Sequence, residues 1–227
     1  MLSYPELIIF DCDGVLVDSE VLSSRVVSET LGHYGIRITP DETATRFSGY
    51  TDEAIGHFFA AESCPEIPEN FASIVEEATI SCFPNELKSL PFVRETLANL
   101  NVLFCVASNS RTKRLDLALA ATGLDRFFAA ECRFSSSLVK NPKPAPELHL
   151  LACQKMGVLP EQALVIEDTP TGVTAAVAAG IPVLGYIGAS HIADPAHQKE
   201  TLLDAGAYAV FEDMRQLQSM LKDYTAG

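Results

Sequence analysis

The chain has 227 residues, 48% of them apolar and 20% charged, with a formal charge of −14. This is ordinary for a soluble globular protein, and it is enough to bury one large core or two modest ones. The acidity argues against a nucleic-acid surface, which needs a basic stripe, but not against a small anionic substrate, because a metal and one or two local lysines outweigh an average field.

The first element is a short buried strand at 7–10 (LIIF), which ends in Asp11-Cys12-Asp13-Gly14. Residues i and i+2 of an extended chain point the same way, so Asp11 and Asp13 can overhang one pocket. Two like charges held that close call for a hard, oxygen-seeking cation such as Mg²⁺. Gly14 permits the turn that leads the chain away. Taken alone, this pattern also fits a strand end followed by a solvated turn.

From 17 to 87 the pattern is helical (20–33, 41–46, 51–61, 69–82), broken by glycine and proline, with no convincing strand. So long a helical stretch exceeds a normal crossover and reads as a small domain inserted after the first strand. It holds 13 acidic residues against Arg25, Arg37 and Arg46, and no lysine.

Beyond it, apolar runs at 102–107, 163–166, 181–184 and 208–211 read as strands, with 129–132 a weaker candidate. Helical segments at 111–121, 146–156, 170–179, 195–205 and 213–223 alternate with them. The expected fold is α/β, a Rossmann-like parallel sheet with helices on both faces, plus an inserted all-helical cap domain. The expected domains are 1–16 with 88–227, and 17–87. In such sheets the site lies beyond the carboxyl ends of the strands.

Six cysteines are scattered with no CxxC and no Cys/His cluster, so they read as small core hydrophobes. The five histidines have no metal spacing and none is expected in catalysis. The N-terminus lacks a signal-peptide pattern and no apolar run has bilayer-spanning length, so a reduced cytoplasmic setting is expected, without membrane association.

Three further strand ends carry polar residues. Ser108-Asn109-Ser110 offers a hydroxyl, an amide and backbone donors to a phosphoryl group, although Ser-Asn also suits a helix N-cap. Lys143 stands between two of the three prolines in 142–146, a stiff loop suited to a fixed positive charge, although a solvated loop cation fits these residues equally well. Glu167-Asp168-Thr169-Pro170-Thr171-Gly172 is a second acidic pair ending a buried strand, where Asp168 or Thr169 also suits a helix cap.

Four such strand ends in this order closely resemble the haloacid dehalogenase (HAD) superfamily, in its phosphatase and phosphomutase branch with a helical cap after the first strand. The motifs stand as DCDGVLVDSE (11–20), SNS (108–110), KPAPE (143–147) and EDTPTG (167–172), and the similarity covers nearly the whole chain. Many members have Ser where this chain has Thr169, which keeps the hydroxyl.

The resemblance implies roles. Asp11 would be the nucleophile, forming an aspartyl-phosphate, and Asp13 the general acid and base. Mg²⁺ would be held by Asp11, the Asp13 backbone carbonyl and Asp168, with Glu167 neighbouring. Ser108 and the Asn109 backbone would hold phosphoryl oxygens, and Lys143 would offset the charge on nucleophile and phosphate.

The expected activity is Mg-dependent hydrolysis of a small phosphate monoester, a sugar phosphate or sugar-acid phosphate. The alternative is a sugar phosphomutase of the β-phosphoglucomutase kind. Family mutases usually place a His twelve residues after the nucleophile and use a cap lysine; here that position is Ser23, and no lysine is available. Carbon dehalogenation fits poorly with Asp13 and Asp168, and imine-forming phosphonate hydrolysis fits poorly with a lysine-free cap. The loop from Arg46 to Thr51 is the candidate for meeting the leaving group. Arg46 either meets a hydroxyl or carboxylate of a sugar or sugar acid or is a solvated helix arginine. The resemblance implies that Gly49 lets the backbone approach. Tyr186 either lines the pocket or packs. A monomer or weak homodimer is expected.

Overall fold

The protein is described by a computed structural model, which covers residues 4–47, 50–62 and 66–223. Its contacts divide the chain into two compact units, Met1–Asp18 with Lys88–Gly227, and Ser19–Leu87.

The first unit is an α/β layer structure. Its strands are β1 (Leu7–Phe10), β2 (Leu103–Ser108), β3 (Arg133–Ser135), β4 (Ala163–Glu167), β5 (Val183–Tyr186) and β6 (Ala209–Phe211). They form one sheet in the order β3-β2-β1-β4-β5-β6, with every neighbouring pair parallel. β1 is therefore flanked on both sides: Phe10 stands opposite Val106 of β2 and Ile166 of β4. From β1 the sheet is built outward in two directions, which opens a crevice beyond its carboxyl end. The residues that follow β1, β2 and β4 thereby share one edge.

Both faces of the sheet are covered. Leu7 and Ile9 point into a cluster with Cys105, Val165, Leu148 and Val173, shared with α7 (Glu147–Met156) and α8 (Pro170–Ala178). On the other face, Phe10 and Phe128 each meet the Phe104 ring edge-on, at 6.3 and 5.4 Å between centroids. Large side chains buried this completely contribute about 1.5–3 kcal/mol each. Helices α5 (Val93–Asn99), α6 (Thr112–Ala121), α9 (Pro195–Asp204) and α10 (Leu217–Asp223) complete the unit.

The second unit is helical: α1 (Glu20–His33), α2 (Pro40–Arg46), α3 (Asp52–Glu62) and α4 (Phe71–Glu86). Thr39 opens α2 through a capping box with Glu42. Arg25 of α1 pairs with Glu29 and with Glu86 of α4, at 2.8 and 2.5 Å. Phe47, Phe58 and Phe59 form an aromatic cluster, and Arg46 lies over their rings at 4.9–5.9 Å.

The fold class agrees with the sequence reading, and several boundaries do not. Residues 129–132 are not a strand: 130–132 make a short 3₁₀ turn, and β3 begins at Arg133 with Phe134 as its buried residue. β5 starts at Val183 instead of 181, because Pro182 has no N–H to give to the ladder. α4 runs to Glu86 through Pro84, and α5 was not anticipated, being only two turns long. Among the described residues no helix is long and apolar enough to cross a membrane.

Candidate active site

The acidic turn after β1 is tight. The N–H of Gly14 bonds the Val17 carbonyl, Gly14 has φ +77°, and a methyl built on it would lie 1.9 Å from Asp168 Oδ2. A residue without a side chain is thus required for the first acidic turn and the one after β4 to come together.

Lys143 is the centre of the site. Its Nζ donates to Asp11 Oδ1 at 2.6 Å and to Glu167 Oε2 at 2.7 Å, and all three side chains are buried. Burial lowers the pKa of the ammonium, but the charges and hydrogen bonds of Asp11 and Glu167 outweigh it and raise Lys143 above its ordinary range. The loop that delivers it is fastened twice. The Asn109 side chain accepts from the Lys143 N–H and donates to the Lys143 carbonyl, both at 3.0 Å. Glu147 accepts from the backbone N–H groups of Lys140 and Asn141 at 3.1 and 3.0 Å.

Glu167 is shaped by its own turn. Its Oε1 accepts from the Thr169 hydroxyl at 2.8 Å and from the N–H groups of Asp168 and Thr169 at 3.2 Å. Burial raises its pKa, but the Lys143 charge and hydrogen bond, with the Thr169 hydroxyl, bring it below the ordinary value. Asp11 moves the other way: burial first, then the Glu167 charge, push it well above the usual carboxylate range against the pull of Lys143. One ammonium is thus shared between two buried carboxylates and falls short of balancing both.

That deficit tests the metal expectation. Asp11, Glu167 and Asp168 are all buried, and each presents a carboxylate oxygen within 4.8 Å of the others. An all-oxygen, multiply anionic set suits a hard divalent cation, and the residues present fit one. Glu167, expected only as a neighbour, belongs to the cluster. The Asp13 side chain does not; its sequence-based role was through its backbone carbonyl.

The Asp13 carboxylate instead faces β2. Its Oδ2 accepts from Ser110 Oγ at 2.7 Å and from Ser108 Oγ at 3.4 Å, and its Oδ1 lies 3.6 Å from an Arg114 guanidinium nitrogen. Ser108 is buried and also accepts the Ser110 N–H at 3.0 Å. Ser110 and Arg114 were not singled out from sequence. Ser110 closes the SNS motif, and Arg114 stands on the first turn of α6, a placement only the fold reveals.

The structure thus brings Asp11, Asp13, Ser108, Asn109, Lys143, Glu167 and Asp168 to one edge of the sheet. The amide of Asn109 is spent on the lysine loop. Arg46 belongs to the helical unit, with its guanidinium over the phenylalanine rings. Gly49 lies outside the described residues. Tyr186 packs: it is buried, with its ring 5.1 Å from Phe211.

Residues 8–186 match the family of haloacid dehalogenase-like hydrolases. The chain belongs to that family. It is 31% identical to the phosphorylated carbohydrates phosphatase of Thermotoga maritima over 96% of its own length and 99% of that protein's. It is 27% identical to the 6-phosphogluconate phosphatase of Escherichia coli, over 88% and 90%. Among solved structures, a haloacid dehalogenase-like protein of Agrobacterium tumefaciens superposes with a TM-score of 0.84 at 34% identity, covering 96% of this chain and 98% of that one. This haloacid dehalogenase-like protein is an enzyme, and its relatives place it among the phosphoric monoester hydrolases.

Proposed function

We propose that the protein is a Mg²⁺-dependent phosphatase that cleaves a small sugar phosphate or sugar-acid phosphate through an aspartyl-phosphate on Asp11. The observation that carries this reading is the Lys143 ammonium, buried between Asp11 and Glu167 at 2.6 and 2.7 Å. A carboxylate so placed has its charge compensated on one side and stays open to a phosphoryl group on the other. The relatives that act on phosphorylated carbohydrates and 6-phosphogluconate support the substrate class.

In the proposed reaction an Asp11 oxygen attacks phosphorus as the ester P–O bond breaks. The departing alkoxide takes the proton of Asp13. Asp13 then removes a proton from water, which attacks the aspartyl-phosphate, releasing inorganic phosphate and restoring Asp11. Ser108 Oγ and the Asn109 N–H hold phosphoryl oxygens, and Lys143 offsets the charge that gathers on them. Asp11, Asp168 and Glu167, with the Asp13 carbonyl, would hold the Mg²⁺, which supplies positive charge to the phosphoryl oxygens.

The unit Ser19–Leu87 is read as the inserted cap, with Arg46 and Gly49 as its candidates for the leaving group. Hydrolysis is preferred over mutase transfer because residues 17–87 contain no lysine and Ser23 stands where mutases usually carry His.

The test is release of phosphate from a panel of phosphorylated sugars and sugar acids, with Mg²⁺ and with chelator. Turnover that needs Mg²⁺ and is lost in Asp11→Asn, together with a trapped phospho-enzyme at Asp11, is expected. Turnover retained in Asp11→Asn would reject the mechanism.

A further inference from the structure

A hydrogen bond from outside the four sequence motifs reaches the buried acids. Gln198, on α9, donates through Nε2 to the Asp168 carbonyl at 2.6 Å. A carbonyl only accepts, so it is the nitrogen of the amide that has to face it.

Helix α9 is placed to make this contact. Asp194 caps it, accepting the N–H groups of Ala196 and His197 at 3.1 and 3.0 Å. Leu202, one turn after Gln198 and on the same face, is completely buried in the core. Gly185 of β5 lets the helix come that close, since a methyl built on it would lie 2.9 Å from Leu202 Cδ1.

The peptide that carries the Asp168 carbonyl is trans, so its N–H, that of Thr169, points the opposite way. That N–H donates to Glu167 Oε1 at 3.2 Å, beside the Thr169 hydroxyl at 2.8 Å. The other oxygen of Glu167, Oε2, accepts from Lys143 Nζ at 2.7 Å, and Nζ also donates to Asp11 Oδ1 at 2.6 Å. A continuous chain of hydrogen bonds therefore runs from α9 through one peptide, Glu167 and Lys143 to the carboxylate of Asp11. Removing the Gln198 donor loosens the plane of that peptide, and with it the direction of the N–H that aligns Glu167.

We infer that Gln198 is a positioning residue, which fixes the Asp168–Thr169 peptide and through it aligns Glu167 between the cation site and Lys143. This rests on the site proposed above, in which Glu167 and Asp168 hold the divalent ion and Lys143 serves Asp11. Gln198 itself touches neither substrate nor reacting atoms.

Two variants test it. Gln198→Met keeps the length and removes the donor, whereas Gln198→His carries an Nε2–H at the same number of bonds from the main chain. Steady-state hydrolysis of p-nitrophenyl phosphate with Mg²⁺ gives kcat and KM, and the EPR signal of free Mn²⁺ gives the affinity of the metal-free protein for that ion. In Gln198→Met, kcat is expected to fall by about 10–100-fold with KM changed less than about twofold. The Mn²⁺ Kd is expected to rise by about tenfold or more. Gln198→His recovers most of both losses. The thermal midpoint in chelator shifts by no more than about 2–4 °C, the worth of a single hydrogen bond.

Wild-type kcat or wild-type Mn²⁺ affinity in Gln198→Met overturns the inference, as does a loss that Gln198→His fails to recover. A far larger drop of the melt in chelator overturns it too, because Gln198 would then hold the fold and not the site. Wild type that binds Mn²⁺ but releases no phosphate, from this ester or from the sugar-phosphate panel, overturns the phosphatase reading alone, and the Mn²⁺ affinities still decide the inference. Wild type that does neither overturns both.

Discussion

Asn109 and Lys143 hold each other by a reciprocal pair of 3.0 Å hydrogen bonds, the amide of one side chain against the main chain of the other. The motif after β2 thereby sets the position of the motif before α7. Asn109→Ala removes both bonds and frees the loop that carries the ammonium. Since displacement by about 1 Å costs on the order of a hundredfold, kcat on an aryl phosphate is expected to fall by about 10–100-fold. Steady-state assays check this, and unchanged kcat would make the clasp irrelevant to turnover.

Lys143→Met leaves Asp11 and Glu167 buried without their shared cation. Removing one partner of a buried pair costs about 3–5 kcal/mol, so the midpoint of urea unfolding in chelator is expected to drop accordingly, along with loss of turnover. A variant as stable as wild type would mean that one of these carboxyls simply takes up a proton.

Asp13→Asn separates proton transfer from phosphoryl transfer. An alkyl ester needs a general acid and is expected to lose orders of magnitude, about 10²–10⁴-fold. An activated aryl ester, whose leaving group departs without a proton, loses less. Equal losses on the two esters would contradict the acid role.

His149, on α7, is completely buried, and among the described residues neither ring nitrogen makes a well-formed hydrogen bond, the Ala175 backbone being a polar neighbour. Burial, helped by the Lys143 charge, depresses its pKa to about 3 against the opposing pull of Glu167 and the Ala175 backbone. The unfolded chain binds a proton near the ordinary histidine value of 6.5 that the folded chain refuses. Stability is therefore full above the unfolded value and is lost as pH falls toward the folded one. His149 is expected to cost on the order of 2 kcal/mol between pH 7 and pH 5. His149→Phe should flatten this part of the profile in denaturant titrations, and an unchanged slope would assign the acid sensitivity to other groups.

Gly172, in the first turn of α8, leaves room for Glu167: an added methyl would sit 1.9 Å from Glu167 Oε2. Gly172→Ala is expected to push that carboxylate off Lys143 and to cost about 1–3 kcal/mol, with a larger loss of turnover than of stability. Parallel thermal melts and activity assays distinguish this from general overpacking, which would lower both together.

The sequence by itself determined the kind of sheet and the identity of its edge residues. Buried runs such as LIIF and ALVI alternate with helical segments, and only a parallel sheet with helices outside accommodates that order. It also marked Asp11, Asp13, Ser108, Lys143 and Asp168, because acids, hydroxyls and a lysine at the ends of apolar strands conflict with the runs before them. What only the tertiary structure decided was which atom faces which. Placing β1 between β2 and β4 brings together side chains more than a hundred residues apart, and spacing along a chain carries no information on such contacts. The burial of Lys143 between Asp11 and Glu167, the use of the Asn109 amide as a clasp and the approach of Arg114 to Asp13 arise from that packing. Even the boundary of β5 followed a local donor, the one Pro182 lacks, more than the hydrophobicity that first suggested the strand.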